Sequence, residues 1–408
     1  MQRYSVGDSD NCSHFAGDSD NCFSPPPEAG VRKQSYSPRP GVYFTIKEHF
    51  MTIISNILNV LITILVFFAI IIIHEFGHFF TAKLFGMKIY EFSIGMGPRL
   101  FSKTTKTTKW SFKLLPVGGS VQLGEDFESD DPDDFRNKPV WQRMIVIVAG
   151  AVMNLILGFV VCAVSVSMSK TIATTTVAGF SDDSMSAQVM QAHDEIVEMG
   201  GMAIWTTTDI SYCLQNKAAE IDAENLTAYI NTTVVRDGQR VQLKVPFRYF
   251  PERTETDSQG IKVDFVVYPE EKNVFTVIKA AGKLFLSEAR LIWISLIDLV
   301  TGTYGINDLS GPVGVVSAMA STLGESIKLM SFSTFLMMIA LITINLGIFN
   351  LLPIPALDGA RFVFLLVEAV RRKPIPAEKE GWVHFIGFAA LMLLMLVVTF
   401  NDIVKLFG

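Results

Sequence analysis

Apolar residues form four long runs in this chain, and none of the runs contains a charged side chain. Their first and last residues lie near Met51 and Ile73, Met144 and Met168, Leu329 and Leu357, and Phe385 and Asn401. An α-helix needs about 20 predominantly apolar residues to cross the hydrocarbon core of a bilayer. The pattern therefore predicts a polytopic α-helical membrane protein with about four transmembrane helices, divided between residues 51–168 and 329–408.

A fifth apolar stretch, residues 275–302, differs from the others because charged residues interrupt it. These residues are Lys279, Lys283, Glu288 and Arg290. Interspersed charges favour an amphipathic helix that lies in the membrane interface over a helix that spans the membrane. We therefore expect residues 269–328 to form an amphipathic helix and a linker.

Between residues 175 and 268 the long runs give way to alternating polar and apolar positions. The stretches HDEIVEMGGMAI and VVRDGQRVQLKVPF predict β-strands, with a hairpin turn at Asp237-Gly238. The stretch AENLTAYINTT between them predicts a short helix followed by a strand. This order resembles a bacterial PDZ domain, which binds an extended peptide or protein segment at a sheet edge or groove. The alternative is a generic small α+β domain.

Residues 1–50 differ in composition from the rest of the chain. They are rich in Ser, Asp and Pro, and the sequence GDSDNC occurs in them twice. Such a composition cannot bury a core, so it predicts a disordered N-terminal extension. Met51 opens the first apolar run and is a candidate for the natural start, and we assign no function to the extension.

The distribution of basic residues predicts how the chain is oriented in the membrane. The loop between the first two runs carries Lys83, Lys88, Arg99, Lys103, Lys106, Lys109 and Lys113, and the loop between the last two carries Arg371, Arg372 and Lys373. Under the positive-inside rule both loops face the cytoplasm and residues 170–328 face outward. The acidic run 125–135 is then expected to be a solvated cytoplasmic loop. A net charge of −6 gives no basic surface, so nucleic acid is not an expected partner.

Two histidines and a glutamate follow the first apolar run, in the sequence HEFGH at residues 74–78. His74 and His78 are four residues apart, so they share one face of a helix and can reach one metal ion. Neutral imidazole is a common zinc ligand, and Glu75 is placed to accept a proton from water at such a site. The alternative is a structural histidine pair packed against backbone carbonyls. Ionisable groups are costly at this depth, which favours a functional site.

Asp358 is the predicted third zinc ligand. A catalytic zinc ion takes three protein ligands and keeps one position open, and Asp358 is the acid that borders the third apolar run. The first and third helices are expected to run in the same direction, and each places ionisable residues after about twenty apolar positions. Taken alone, Asp358 could be a helix-end acid at the membrane surface. The HEFGH sequence at matching depth favours the zinc ligand.

Pro353 and Pro355 precede Asp358 in the sequence NLLPIPALDG. Proline breaks or bends a helix, and the freed backbone groups are tolerated at membrane depth only inside protein or beside a wet cavity. Asn350, before the break, could hydrogen-bond a substrate carbonyl or amide, or could satisfy the freed backbone. The break predicts a site that water can enter.

Together, HEFGH in a first membrane helix and NLLPIPALDG in a later one resemble the site-2 protease family of intramembrane zinc metalloproteases. Further stretches resemble its bacterial branch with a PDZ insertion, similar to the regulator-of-sigma-E proteases: IGMGPRLF, PVGGSVQLGE, FRNKPVWQR, AGAVMNLILG and SGPVGVV. The resemblance extends over residues 51–408. It implies a membrane domain with an inserted extracytoplasmic PDZ-like domain and a membrane-associated β-hairpin, in the bacterial cytoplasmic membrane.

The resemblance also implies roles for individual residues. Zn²⁺ would be bound by His74, His78 and Asp358, with Glu75 as the general base. The expected substrate-binding residues are Asn350, Asn154, Gly118, Gly119, Pro353 and Pro355. The PVGGSV stretch would belong to the β-hairpin that receives the unwound substrate as an added strand. One departure lies in the second helix, where the family motif often reads Gly-Pro-x-x-Asn. Here the stretch is GAVMN, with Ala151 in the proline position and Asn154 in place.

The implied activity is regulated intramembrane proteolysis, in which single-pass membrane proteins are cut within or near their transmembrane segments. Anti-sigma factors and remnant signal peptides are both substrates of relatives. Two other classes of protein remain as alternatives. A transporter also uses broken helices and buried acids, but it predicts repeated halves. A non-catalytic scaffold that binds peptides through the PDZ-like domain would have no use for Glu75 beside two histidines.

Overall fold

The computed structural model of the protein describes residues 40–105, 107–124, 130–218, 220–222, 224–251, 260–303, 305 and 309–407. The predicted disorder of residues 1–39 lies outside these ranges. For residues 40–50 the prediction of disorder is wrong, because the first helix begins at Pro40.

Four helices among the described residues are long and apolar enough to cross a membrane, as the sequence pattern predicts. They are α1 (Pro40–Leu84), α2 (Val140–Met168), α6 (Ser333–Leu351) and α8 (Ala377–Phe407). Many of their large apolar side chains are exposed, among them Leu65, Ile386 and Phe400. Helices that are apolar around their whole circumference and still exposed are suited to contact with lipid.

The third apolar run ends earlier than its composition suggests. Helix α6 stops at Leu351, and a new helix, α7, begins at Asp358 and ends at Arg371. Pro353 and Pro355 lie in the turn between the two helices, where the missing N–H of each proline prevents continuation of the helix. The predicted break is present, and it places Asp358 in the first turn of α7.

A small sheet lies between α1 and α2 in the sequence. It is built from two long, bent strands, β1 (Glu91–Thr104) and β2 (Lys109–Gln122). Residues 91–94 pair with residues 109–112 in parallel and with residues 119–122 in antiparallel register, and residues 101–104 pair with 109–112 on their other side. Among the described residues, 119–122 pair on one side only, so this segment is an edge of the sheet.

This sheet packs on the end of α1 through an apolar cluster. Phe79 makes an edge-to-face contact with Phe92, with 5.4 Å between ring centroids, and lies 5.3 Å from the ring of Trp110. The cluster includes Phe135, and the adjoining Asp134 is buried and accepts a hydrogen bond from Tyr90 at 2.7 Å. The prediction that residues 125–135 form a solvated loop is therefore wrong at its C-terminal end, while 125–129 lie outside the described residues.

A second sheet follows α2 and has eight strands. They are β3 (Ile172–Phe180), β4 (Glu195–Met199), β5 (Met202–Ala203), β6 (Glu220–Asp222), β7 (Thr227–Arg236), β8 (Gln239–Phe250), β9 (Gly260–Ile261) and β10 (Phe265–Glu270). The strand order is β10-β3-β4-β7-β8-β9, with β5 paired to β4 and β6 paired to β7. The predicted turn is at Asp237-Gly238, where both residues have positive φ.

The helix of this β-rich region is not where the sequence pattern places it. Helix α3 covers Thr207–Asn216, whereas residues 224–226 of the stretch AENLTAYINTT form a turn that leads into β7. Thr206 and Asp209 form a reciprocal capping box at the start of α3. The side chain of Ile210 on α3 packs in a buried core with residues of β4 and β7, and this core stabilises the β-rich region.

Two further helices connect the β-rich region to α6. Helix α4 (Val274–Val300) agrees with the predicted amphipathic helix, but helix α5 (Pro312–Lys328) lies in the stretch predicted as a linker. The N-terminus of α5 is bound by a carboxylate of α8, because Asp402 accepts hydrogen bonds from the amides of Gly311 and Gly314 at 3.1 and 2.8 Å. This contact fixes the end of α8 to α5.

Candidate active site

Helix α1 carries both histidines and the glutamate of the HEFGH sequence on its C-terminal half. His74 and His78 are each 8% exposed, so the surrounding helices remove almost all of their surface from solvent. Glu75 is half-buried. Their spacing of four residues puts the two imidazoles on the same face, with their rings perpendicular and 4.9 Å apart.

Asp358, the first residue of α7, lies beside the two histidines of α1. Its Oδ2 atom lies 3.1 Å from His74 Nε2 and 3.2 Å from His78 Nε2. The two Nε2 atoms are 3.2 Å from each other. The break after α6 is responsible for this meeting, because it places the carboxylate at the first position of α7 instead of further along a continuous helix.

A hydrogen bond from the second ring nitrogen of His78 fixes the tautomer of its imidazole. His78 Nδ1 lies 2.8 Å from the backbone oxygen of Val146 on α2 and can only donate to it. The proton is therefore on Nδ1, and Nε2 keeps a lone pair directed at the other two donor atoms. A backbone or carboxylate acceptor behind a histidine is the usual arrangement around a bound metal.

Asn154 of α2 lies behind His74 and is fully buried. Its Nδ2 atom is 3.3 Å from His74 Nδ1, while its Oδ1 atom is buried without a hydrogen-bond partner among the described residues. The two ends of a carboxamide are told apart by their hydrogen bonds. Turned by 180°, Asn154 accepts from a protonated His74 Nδ1, which satisfies the orphaned oxygen and leaves the lone pair on His74 Nε2.

The three donor atoms fit a zinc ion. Zinc bonds of about 2.0–2.1 Å in a tetrahedral site separate neighbouring ligand atoms by about 3.3–3.4 Å. The observed triangle has sides of 3.1, 3.2 and 3.2 Å. Two imidazole nitrogens and one carboxylate oxygen are also a donor set that zinc accepts, with a fourth position left for water or substrate.

Helix α2 lies close to the two histidines because Gly150 has no side chain. A Cβ atom at Gly150 would lie 2.3 Å from His78 Nε2 and 2.8 Å from His74 Cε1, so no larger side chain fits there. Ala151, at the position where a proline was expected from the resemblance, is fully buried within an uninterrupted α2. Asn154 reaches His74 from the next turn of the same helix without the proline.

The edge of the small sheet lies against Glu75. A Cβ atom at Gly119 would lie 2.8 Å from Glu75 Cγ and 3.3 Å from the backbone oxygen of Ser93. The backbone of Val121 also lies close to the Glu75 carboxylate. Gly118, the other glycine of the predicted site, has φ of +81° at the start of this edge segment. The predicted base and the predicted hairpin therefore meet directly.

The remaining predicted site residues lie near the break. Asn350 is half-buried in the last turn of α6, and no described hydrogen bond joins it to the two histidines or to Asp358. Pro355 contacts α8, where a Cβ at Gly387 would lie 2.2 Å from Pro355 Cβ. Pro353 lies in the same turn.

Two contributors to the site were missed by the sequence analysis. Gly150 acts by lacking a side chain, and the sequence gives no signal for the contact that requires this. His384 of α8 accepts a hydrogen bond from the amide of Ala356, two residues before Asp358, at 3.0 Å. His384 directly precedes the last apolar run, and an ionisable residue at such a position was a signal that could have identified it.

Comparisons with known proteins identify the family of this chain. The sequence profile of Peptidase family M50 matches residues 62–394. A Clostridium acetobutylicum protein named provisionally as a zinc metalloprotease is 39% identical over 85% of this chain and 97% of its own length. A Fusobacterium nucleatum protein with the same provisional name is 32% identical over 85% of this chain and 99% of its own. The regulator of sigma-W protease RasP of Bacillus subtilis is 31% identical over 86% and 99%.

These matches extend across both halves of the site, from the histidines on α1 to the aspartate on α7. The resemblance drawn from the sequence motifs is confirmed, and the chain belongs to peptidase family M50, the family of the site-2 proteases.

Proposed function

We propose that this protein is an intramembrane zinc metalloprotease that cuts single-pass membrane proteins within or near their transmembrane segments. One observation carries the proposal. His74 and His78 on a membrane-length helix meet Asp358 at 3.1 and 3.2 Å, in a triangle that suits tetrahedral zinc. The relatives named as zinc metalloproteases support the same metal and the same reaction class.

The three donor residues would hold the zinc ion, and Asn154 and the Val146 carbonyl would keep the imidazoles in the required state. When bound, zinc lowers the pKa of water toward neutrality and polarises a substrate carbonyl. The burial of the histidines keeps competing water away from the donor atoms and strengthens the electrostatic interactions of the site. The chain itself supplies a rigid, preorganised set of donors.

Glu75 is the proposed general base. It is adjacent to His74 in the sequence, is half-buried and lies against Gly119 at the edge of the small sheet. Its carboxylate would accept a proton from the attacking water as the water oxygen bonds to the carbonyl carbon. The same carboxyl group would then give that proton to the departing amine, so that the peptide bond breaks without net loss of a proton from Glu75.

The edge segment 119–122 is the proposed docking strand for the substrate. A transmembrane helix hides its carbonyls in backbone hydrogen bonds, so a substrate must unwind before it can be cut. An unwound segment can pair with an unpaired sheet edge through its main chain, whatever its side chains are. Because Gly119 lies against Glu75, a strand added at this edge would pass beside the base.

The proposed orientation follows the basic residues. The zinc site and the small sheet would lie toward the cytoplasm, and the β-rich region from Ile172 to Glu270 would be extracytoplasmic. This region would be a PDZ-like domain that contacts peptides or proteins and admits only substrates already shortened by an earlier cut. Anti-sigma factors and remnant signal peptides are the proposed substrates, as part of regulated intramembrane proteolysis.

Cleavage by purified full-length protein tests the proposal. Wild type and the Glu75→Gln variant are reconstituted with a single-pass substrate, and both are analysed for zinc. We expect the variant to keep one zinc per chain and to lose at least about 100-fold in rate, since general-base catalysis contributes about that much. Glu325→Gln, at an exposed position on α5, is the matched control.

Cleavage by Glu75→Gln at the wild-type rate would exclude Glu75 as the base. Absence of zinc from the wild type would favour a transporter or a scaffold.

A further inference from the structure

The turn that carries Asp358 has an unfavourable backbone conformation. Ala356 has φ of +78°, in the left-handed region that residues with a Cβ rarely adopt. It stands between the second proline of the break and the first turn of α7. A conformation of this kind persists only where surrounding contacts hold it in place. The contacts of Ala356 therefore bear on where the carboxylate two residues later is placed.

The last helix supplies one of these contacts. The amide of Ala356 donates a hydrogen bond to Nδ1 of His384 on α8 at 3.0 Å. The His384 ring also packs edge-to-face on Phe364 of α7, with 5.6 Å between ring centroids. Since Nδ1 accepts, the ring proton is on Nε2. His384 thus touches the turn through its acceptor and α7 through its ring.

Gly387 supplies a second contact, one helical turn further along the same face of α8. A Cβ atom at this position would lie 2.2 Å from Pro355 Cβ and 2.8 Å from the Pro355 backbone oxygen. The helix backbone thus rests directly on the residue before Ala356. Most of α8 is otherwise exposed, including Ile386 between these two positions. The turn at Pro355 and Ala356 therefore packs on the face of α8 that His384 and Gly387 form.

We propose that His384 is a positioning residue for the metal ligand Asp358. By accepting the Ala356 N–H, it holds the left-handed turn that places Asp358 Oδ2 at 3.1 and 3.2 Å from the two histidine nitrogens. No described hydrogen bond joins His384 to the three donor atoms, and it acts through the backbone of residues 355–358. This inference rests on the proposed zinc site and adds the last helix to its construction.

Three substitutions separate the hydrogen bond from simple packing. His384→Phe keeps a ring against Phe364 but has no acceptor. His384→Asn loses the ring but places Oδ1 where Nδ1 was, because both atoms are bonded to Cγ. His384→Ala removes both features. Ile386→Ala, at a lipid-exposed position on the same helix, is the matched control.

The experiment measures zinc affinity of the full-length protein by competition with a chelator, and the visible spectrum of the cobalt-substituted protein. Loss of groups that orient metal ligands costs about 10- to 100-fold in metal affinity. We expect about 10-fold weaker zinc binding and an altered cobalt spectrum for the Phe and Ala variants. The Asn variant should remain within about 3-fold of wild type by the same scale, and the Ile386→Ala control should not change.

The outcomes distinguish this inference from the proposed function. A His384→Phe variant with the zinc affinity and cobalt spectrum of the wild type would overturn the positioning role alone. A His384→Asn variant that binds zinc no more tightly than His384→Phe would overturn it as well. A wild-type protein that binds no stoichiometric zinc would overturn the proposed function first. If His384→Ala fails to fold, the comparison of the Phe and Asn variants decides the question. Gly387→Ala, which displaces the turn by contact, should weaken zinc binding independently.

Discussion

Arg143 of α2 and Glu368 of α7 form a partly buried, two-point ion pair, with 3.2 Å between Nη1 and Oε2 and 2.5 Å between Nη2 and Oε1. Arg143 Nε also donates to the backbone oxygen of Lys138. The pair joins the helix that supports the histidines to the helix that begins with Asp358. A planar guanidinium matches a carboxylate in this way, whereas lysine cannot.

Removal of one partner of this pair should destabilise the protein more than removal of both. Arg143→Ala leaves the partly buried Glu368 carboxylate without its partner, and the cost should lie below the about 3–5 kcal/mol that applies to fully buried pairs. We expect a lower melting temperature in detergent for Arg143→Ala, and partial recovery in the Arg143→Ala/Glu368→Leu double variant. Equal melting temperatures for wild type and Arg143→Ala would show that the pair does not stabilise the contact between α2 and α7.

Gly150→Ala should prevent zinc binding while leaving α2 helical. The added Cβ would lie 2.3 Å from His78 Nε2, and backbone and ring cannot both keep their places. We expect zinc content to fall below about one tenth of the wild-type value, which is the low end of the affinity loss seen when ligands are misplaced. Gly282→Ala on α4 is the matched control, since a Cβ there meets nothing within 4 Å and alanine favours a helix. Full zinc content in Gly150→Ala would contradict the close approach of α2.

Asn154→Leu should weaken zinc binding and leave the fold intact. The leucine has about the same size, but it cannot accept the proton of His74 Nδ1, so the ring is free to adopt the other tautomer. A loss of about 10- to 100-fold in zinc affinity is expected by competition with a chelator. Ser165→Ala, an equally buried position on α2 that bonds to Ser333 instead, should keep wild-type zinc affinity. The assignment fails if Asn154→Leu and Ser165→Ala bind zinc equally well.

Glu288 should make the protein less stable as the pH rises toward 8. It lies buried on α4, and burial together with the neighbouring Asp209 carboxylate raises the pKa of Glu288 to about 7. Asp209 itself is engaged by Ser287, by Arg290 at 2.7 Å and by the amides of Trp205 and Thr206.

The sign of the effect follows from proton binding. Between the ordinary pKa of a glutamate and about pH 7 the folded protein holds the Glu288 proton and the unfolded chain does not. Stability from this group is therefore complete at low pH and is lost as the pH rises through about 7. At pH 8 the free energy of unfolding of Glu288→Gln should exceed that of the wild type by up to about 3 kcal/mol, and its melting temperature should be higher. At pH 5 the two proteins should melt at the same temperature. Glu325→Gln serves as the control, and a pH-independent difference for Glu288→Gln would contradict the buried carboxyl.

The HEFGH sequence and Asp358 were identified from the sequence because local rules place them. A spacing of four residues sets two histidines on one helix face, and two closely spaced prolines break or bend a membrane helix. The four membrane-length helices followed from the same kind of rule, since an uncharged run of that length has few other structures available. The Asp237-Gly238 turn depended only on which residues tolerate positive φ.

Other features depend on distant contacts and could not be predicted in this way. The contact of Gly150 with His78 and that of His384 with Ala356 join residues far apart in the sequence, and no periodicity encodes them. The helix predicted after residue 222 was wrong because strand pairing with β8 decided the structure of residues 227–236. The true helix carried a local signal, the capping residues Thr206 and Asp209, that the pattern of apolar residues did not reveal.

The central claim is that His74, His78 and Asp358 bind one zinc ion together, and metal analysis of purified full-length protein tests it most directly. Zinc per chain is measured for the wild type and for Asp358→Asn, which keeps the shape of the side chain but removes the anionic ligand. We predict one zinc per wild-type chain and a loss of nearly all of it in Asp358→Asn, with wild-type content in the Glu325→Gln control. Stoichiometric zinc retained by Asp358→Asn, with unchanged affinity, would contradict the account.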